Sequence, residues 1–200
     1  MDLTESIYIF QRTHAMVEVL VNGIRASYEV RGEKGVLLCP PHPLMGGNRF
    51  DVRLERISAA LNKAGFSTLR FDYRQPFRNG TGEIEDARYM LLYLKERHEF
   101  VAVVGYSFGA VVTSNIAGEG DALVLISPLK KLHEIELKDS ITPKLIVYAS
   151  YDDIVSVDES KEIAEMLSEP KEVVELDTDH FYMGKMDSLV KEVLDFLLRV

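Results

Sequence analysis

Phe100-Val101-Ala102-Val103-Val104-Gly105-Tyr106-Ser107-Phe108-Gly109 runs from an apolar stretch into a serine flanked by glycines, and Ala110 to Ala117 continues it with helix-compatible residues. A strand, a G-x-S-x-G turn and a helix in succession put the serine at a tight strand-to-helix turn. There its hydroxyl is thrust out of a sheet, within reach of a base and of a substrate carbonyl. The flanking glycines permit the close backbone approach that such a turn needs. Ser107 is therefore the candidate nucleophile.

Working outward from this turn, the chain alternates short apolar runs with longer amphipathic ones, the pattern of successive βαβ units and a mostly parallel sheet. The expected strands are Val36 to Cys39, Ser67 to Phe71, Val101 to Gly105, Ala122 to Ile126, Lys144 to Tyr148 and Glu172 to Leu176. The expected helices are Arg49 to Ala64, Gly82 to Arg97, Phe108 to Gly118, Asp158 to Leu167 and Lys185 to Leu198. Gly65 is placed to stop the first of these, and Gly118 and Gly120 the third. Ahead of them, Ala15 to Val21 and Ile24 to Val30 are β-prone runs joined by Asn22-Gly23, a dipeptide suited to a type I′ hairpin. The expected architecture is an α/β fold, with a mostly parallel central sheet, an N-terminal antiparallel hairpin and helices on both faces. The Ser127 to Pro143 connection is too short for a separate cap domain and reads as a solvated, charged loop with one helical turn. A single domain over residues 1–200 is the expectation.

The chain of 200 residues carries 23 Lys and Arg against 32 Asp and Glu, a net charge of −9. An acidic surface of this kind disfavours nucleic acid and anionic membranes. The single cysteine, Cys39, excludes an internal disulfide and sits in an apolar run, which fits a buried thiol and a cytoplasmic setting. The N-terminus has no basic region ahead of an apolar core, and no apolar run approaches membrane-spanning length, so neither a secretory signal nor a membrane span is expected.

A serine hydroxyl needs an imidazole as general base and a carboxylate to orient that imidazole. Of His14, His42, His98, His133 and His180, His98 lies at a polar helix end and His14 near the hairpin, both positions for a solvated ring, while His133 sits in the charged loop. His180 follows the last expected strand and so falls at the sheet edge where the serine emerges. It is the candidate base. Asp152, after the strand beginning at Lys144, is the first choice of acid. Asp153 is its rival, since adjacent side chains after a strand point in different directions, and Asp177 and Asp179 are better suited to loop hydrogen bonds.

These residues resemble those of an α/β-hydrolase over nearly the whole chain, with the order serine, acid, histidine. More narrowly, Pro41-His42-Pro43-Leu44-Met45-Gly46-Gly47-Asn48, Thr68 to Arg74 and Gly105 to Gly109 resemble a group of small, lidless predicted serine hydrolases and esterases of bacteria and archaea. That group shows a His-Pro-His-Pro-Leu-x-Gly-Gly segment, whose first histidine is replaced in this chain by Pro40. The resemblance implies Asp152 rather than Asp153 as the acid and His180 as the base.

Acyl transfer also needs donors aimed at the developing oxyanion. Phe108 supplies one backbone N–H directly after the serine. Pro40, Pro41 and Pro43 have none, so the second falls to the backbone of His42 or Leu44. The His42 ring is equally suited to stiffening its loop through a backbone hydrogen bond. Gly46-Gly47 lacks the surroundings of a P-loop or a dinucleotide fingerprint, and no metal-ligand spacing occurs, so no cofactor and no metal are expected. Phe77, Phe108, Tyr151, Phe181, Tyr182 and Met183 are candidates for an apolar wall. Taken together, the sequence points to a serine hydrolase cleaving a small-molecule carboxylic ester or thioester through an acyl-enzyme. A non-catalytic binding protein on the same fold and a peptidase are the alternatives.

Overall fold

The computed structural model describes residues 16–200; His14 and Ala15 lie outside the described residues. Strands β1 (Met16–Val21) and β2 (Ile24–Glu29) form an antiparallel pair. Asn22 and Gly23 turn between them at φ of 49° and 78°, as the dipeptide requires. Then follow β3 (Lys34–Cys39), α1 (Val52–Lys63), β4 (Ser67–Phe71), α2 (Thr81–Lys95), β5 (Phe100–Tyr106), α3 (Phe108–Ser114) and β6 (Ala122–Ile126). The chain is completed by β7 (Lys131–Leu132), β8 (Ile135–Glu136), β9 (Lys144–Ala149), α4 (Val157–Met166), β10 (Lys171–Leu176) and α5 (Met186–Arg199).

The main sheet has the order β1-β2-β4-β3-β5-β6-β9-β10, antiparallel at β1, β2 and β4 and parallel from β4 to β10. The central strands are apolar on both sides because helices cover both faces. Leu37, Cys39, Val101, Val103, Leu123 and Leu125 point to the side packed by α2, α3 and α4. Their alternates Val36, Leu38, Ala102, Val104, Val124 and Ile126 point to the side packed by α1 and α5. The chain leaves β3 toward β4 and returns to β5 on the opposite flank, so the loops after β3 and β5 diverge. A crevice opens at that switch point, at the C-terminal edge of the sheet.

Several expectations need correction. Helix α1 starts at Val52 and not Arg49, because Asp51 caps it by accepting from the N–H groups of Arg53 and Leu54. Helix α3 ends at Ser114, before either glycine expected to stop it. Thr113 and Ser114 turn their hydroxyls back to the carbonyls of Ala110 and Val111, a local competition that weakens the last turn. The Ser127 to Pro143 connection contains no helical turn; it folds into the β7–β8 hairpin and buries Ile135 and Leu137 against the core. Among the described residues no helix is long and apolar enough to cross a membrane.

His98 is buried and not solvated. Its Nδ1 lies 3.1 Å from the Glu33 carbonyl oxygen and its Nε2 lies 2.6 Å from the Tyr28 hydroxyl. The carbonyl can only accept, so Nδ1 holds the proton and Nε2 accepts from tyrosine. Burial pushes the His98 pKa below its usual value, against the opposing pull of the Glu33 carbonyl. The folded pKa lies below the unfolded one, so its contribution to stability is complete above the unfolded value of about 6.5 and declines as pH falls. The unfolding free energy from urea titrations is accordingly expected to fall between about pH 7.5 and 5.5, by at most ~1.4 kcal/mol per pH unit for this ring, and more shallowly in His98→Gln. Equal slopes for the two proteins would contradict this account.

Candidate active site

Ser107 stands between β5 and α3 with φ of 55° and ψ of −118°, a conformation a non-glycine residue adopts only under constraint. Two close approaches impose it. A Cβ on Gly105 would sit 2.2 Å from the Gly109 carbonyl oxygen, and one on Gly109 would sit 2.3 Å from the Cys39 oxygen and 2.6 Å from the Pro40 oxygen. Glycine at both places lets the helix start directly over the sheet and against the loop after β3. The Ser107 N–H donates to the Ile126 carbonyl at 2.8 Å, fixing the turn to β6.

The loops after β9 and β10 bring Asp152 and His180 to the same edge. His180 Nε2 lies 3.1 Å from Ser107 Oγ, and His180 Nδ1 lies 2.6 Å from Asp152 Oδ2. The other carboxylate oxygen, Oδ1, accepts from the N–H groups of Ile154 at 2.9 Å and Val155 at 2.8 Å. The Asp152 and His180 side chains are almost wholly buried, at 1% and 3% exposure. Burial pushes the Asp152 carboxyl up, yet the His180 hydrogen bond and the two backbone N–H groups outweigh it and hold the carboxyl below its usual range. Asp153 and Asp177 are exposed, and the Asp179 carboxylate accepts from the Met183 N–H at 3.0 Å.

His180 itself is positioned by neighbours that the sequence did not single out. The Tyr106 hydroxyl donates to the His180 carbonyl at 3.0 Å, and its ring lies 5.4 Å from the imidazole. Arg53 lies over the Tyr106 ring, 4.6 Å from its centroid, and pairs with Asp51. The only sequence signal for Tyr106 was its place inside G-x-S-x-G. None marked Asp51 or Arg53, whose approach to the site follows from α1 packing on this face.

The loop after β3 contributes His42. Its Nδ1 accepts from the Leu44 N–H at 3.2 Å, its Nε2 meets His133 Nε2 at 2.6 Å, and its ring packs on Phe77 and Phe108. Burial, and then His133 beside it, push the His42 pKa down, against the pull of Glu83. The Leu44 N–H is thus already engaged and does not suit an oxyanion donor. Among the described residues no protein acceptor takes the backbone N–H of His42 or of Phe108. Pro41, His42, Met45, Gly46, Gly47, Asp51, Arg53, Tyr106, Ser107, Ile154, His180 and Phe181 line one cleft of about 230 Å³, open to solvent. Of the candidate apolar wall, Phe181 lines this cleft, Phe77 and Phe108 pack behind His42, and Tyr151 and Met183 are exposed. Tyr182 is core, its hydroxyl bonded to Ser127 and Val147. Among the described residues no group of three His, Cys, Asp or Glu side chains is arranged to hold a metal.

The backbone resembles that of a lidless α/β serine hydrolase of Xanthomonas campestris, with a TM-score of 0.82, 20% identity and 94% and 95% of the two chains covered. An α/β serine hydrolase homologue of Coxiella burnetii gives a TM-score of 0.80 at 23% identity over 92% and 98%. A Pyrococcus furiosus esterase gives 0.76 at 17% over 94% and 92%. In sequence, an uncharacterized protein of Rickettsia prowazekii (strain Madrid E) is 25% identical over 92% of this chain and 90% of its own. Residues 56–184 match the model of the dienelactone hydrolase family, a span that contains the serine turn and both partner loops. The chain belongs to the dienelactone hydrolase family, within the α/β-hydrolase superfamily, and is a hydrolase.

Proposed function

We propose that this hydrolase cleaves a carboxylic ester or thioester through an acyl-enzyme on Ser107. The observation that carries the reading is the continuous relay from Ser107 Oγ through the His180 ring to Asp152, at 3.1 Å and 2.6 Å. Asp152 can only accept, so it holds the His180 proton on Nδ1 and leaves Nε2 free to take the serine proton. Ser107 Oγ attacks the carbonyl as His180 Nε2 accepts its proton. The resulting imidazolium is stabilised by Asp152, and the Phe108 and His42 N–H groups receive the oxyanion. The bond to the leaving alcohol or thiol then breaks as His180 returns the proton to it. Water, deprotonated by the same nitrogen, releases the acid.

The open cleft suits a small soluble ester. Met45, Ile154 and Phe181 give it an apolar margin. A fluorophosphonate probe is expected to add one adduct, found by peptide mass spectrometry on the segment containing Ser107. Labelling that persists at full stoichiometry in Ser107→Ala would overturn the assignment.

A further inference from the structure

His133 occupies the turn of the β7–β8 hairpin, at φ of 54°, and reaches across to the loop after β3. Its Nε2 meets His42 Nε2 at 2.6 Å. The other His42 nitrogen, Nδ1, accepts from the Leu44 N–H. A backbone N–H can only donate, so Nδ1 is bare and the single proton of the neutral His42 ring is on Nε2. His133 Nε2 must then accept, and its own proton is on Nδ1. Only one pair of tautomers joins the two rings.

We propose that His133 is a positioning residue for the second oxyanion donor. By accepting from His42 Nε2–H it fixes the ring that holds the Leu44 turn, and with it the free His42 backbone N–H. The inference rests on the reading of Ser107 as nucleophile.

The hairpin is built to present this acceptor. The Glu134 N–H donates to the Asn79 carbonyl at 3.1 Å, the Asn79 side chain donates to Glu134 Oε1 at 3.1 Å, and Ile135 packs so closely on Gly80 that a Cβ there would lie 2.6 Å from it. The His42 ring has little room to swing, with Phe77 and Phe108 centroids at 4.8 and 5.0 Å. From the carbonyl side, the Met45 and Gly47 N–H groups both donate to the His42 oxygen at 3.0 Å. The loop is therefore pinned at the His42 carbonyl and at both nitrogens of its ring.

The charged groups near the pair are few. Glu83 on α2 faces His42, but accepts from the N–H groups of Arg78 and Gly80. Arg78 turns its guanidinium to Glu85 and Asp86. On the hairpin, Lys131 and Glu136 pair with each other at the surface, and α3 presents only Phe108. A proton added to His133 Nε2 would set two N–H groups face to face. One added to His42 Nδ1 would do the same toward Leu44. The full network, with the bridge and the Leu44 contact together, therefore exists only with the His42 ring neutral, the state that burial and then His133 favour.

The test combines pH profiles on a short p-nitrophenyl ester with nitrogen-15 NMR of the histidine rings. In wild type, the acid limb of kcat is expected to be steeper than one proton. His133→Leu should lower kcat about 10- to 100-fold with KM within about threefold, because a displaced donor weakens the transition state more than substrate binding. His133→Gln, whose amide oxygen accepts from His42 at any pH, should restore kcat to within about threefold. NMR should find the wild-type His42 proton on Nε2 and, in His133→Leu, a tautomer mixture with a circular dichroism spectrum like that of wild type. A His42 proton on Nδ1, or a His133→Leu enzyme with wild-type kcat, would overturn the inference. Turnover undiminished in Ser107→Ala would instead remove the nucleophile reading, while the ring tautomers would still decide whether His133 holds His42.

Discussion

Ser107→Ala is expected to lower kcat/KM for a p-nitrophenyl ester by about 10⁴- to 10⁶-fold, the range seen when the nucleophile of such a unit is removed. The loss is this large because His180 and Asp152 have no other group to activate. Their ring and carboxylate are buried, and the donors at Phe108 and His42 can stabilise an oxyanion only when an attack creates one. Residual activity comes from water entering the cleft. The fold should survive, because the Ser107 backbone bond to Ile126 does not involve the hydroxyl. Steady-state kinetics beside a thermal melt checks both parts; a loss under about tenfold in a folded protein would contradict the mechanism.

The second large effect is expected at Asp152. Asp152→Asn keeps the size and shape of the side chain but offers His180 Nδ1 an amide that can donate. The imidazole can then hold its proton on Nε2, presenting a donor to Ser107 in place of the lone pair that must take the serine proton. A drop in kcat of about 10³- to 10⁴-fold is expected, from the wrong tautomer and the loss of the charge opposite the imidazolium. Asp153→Asn, at an exposed side chain, should remain within about threefold of wild type. The adjacent pair therefore makes a sharp comparison: equal losses at both positions, measured at one saturating ester concentration, would refute the orientation given to Asp152.

Much of this site was legible before any coordinates. The apolar run into Gly105-Tyr106-Ser107-Phe108-Gly109 marked the turn, Asp152 followed a buried apolar strand, and His180 followed the β-prone run that forms the edge strand β10. Strand ends at one edge of a parallel sheet meet in space, so three positions far apart in the chain were readable as neighbours. The strands were read to within two residues because most are short apolar or β-branched runs bounded by polar or glycine residues. Helix ends were less legible. The start of α1 depends on the Asp51 cap, and the end of α3 on hydroxyls that turn back on their own carbonyls, both choices between local hydrogen bonds of similar strength.

Residues whose place depends on packing were misread. His98 looked solvated because its neighbours in sequence are polar, and is buried because β2 brings Tyr28 to it. Leu44 looked free to donate, and is engaged because the His42 ring folds back on its own loop. His133 looked like a surface residue of a charged loop. Its contact with His42 spans 91 positions, and nothing in either segment's composition announces it.

By itself the sequence determined the layered α/β fold, the serine turn and the edge at which base and acid would stand, because period, glycine spacing and strand order act through short-range sterics and apolar burial. Only the tertiary structure decided which of two adjacent aspartates faces the imidazole, which N–H groups are left unpaired and which histidines touch. Those outcomes hang on hydrogen bonds of directional, angstrom-scale geometry between segments distant in the chain, and one-dimensional patterning carries no measure of that geometry.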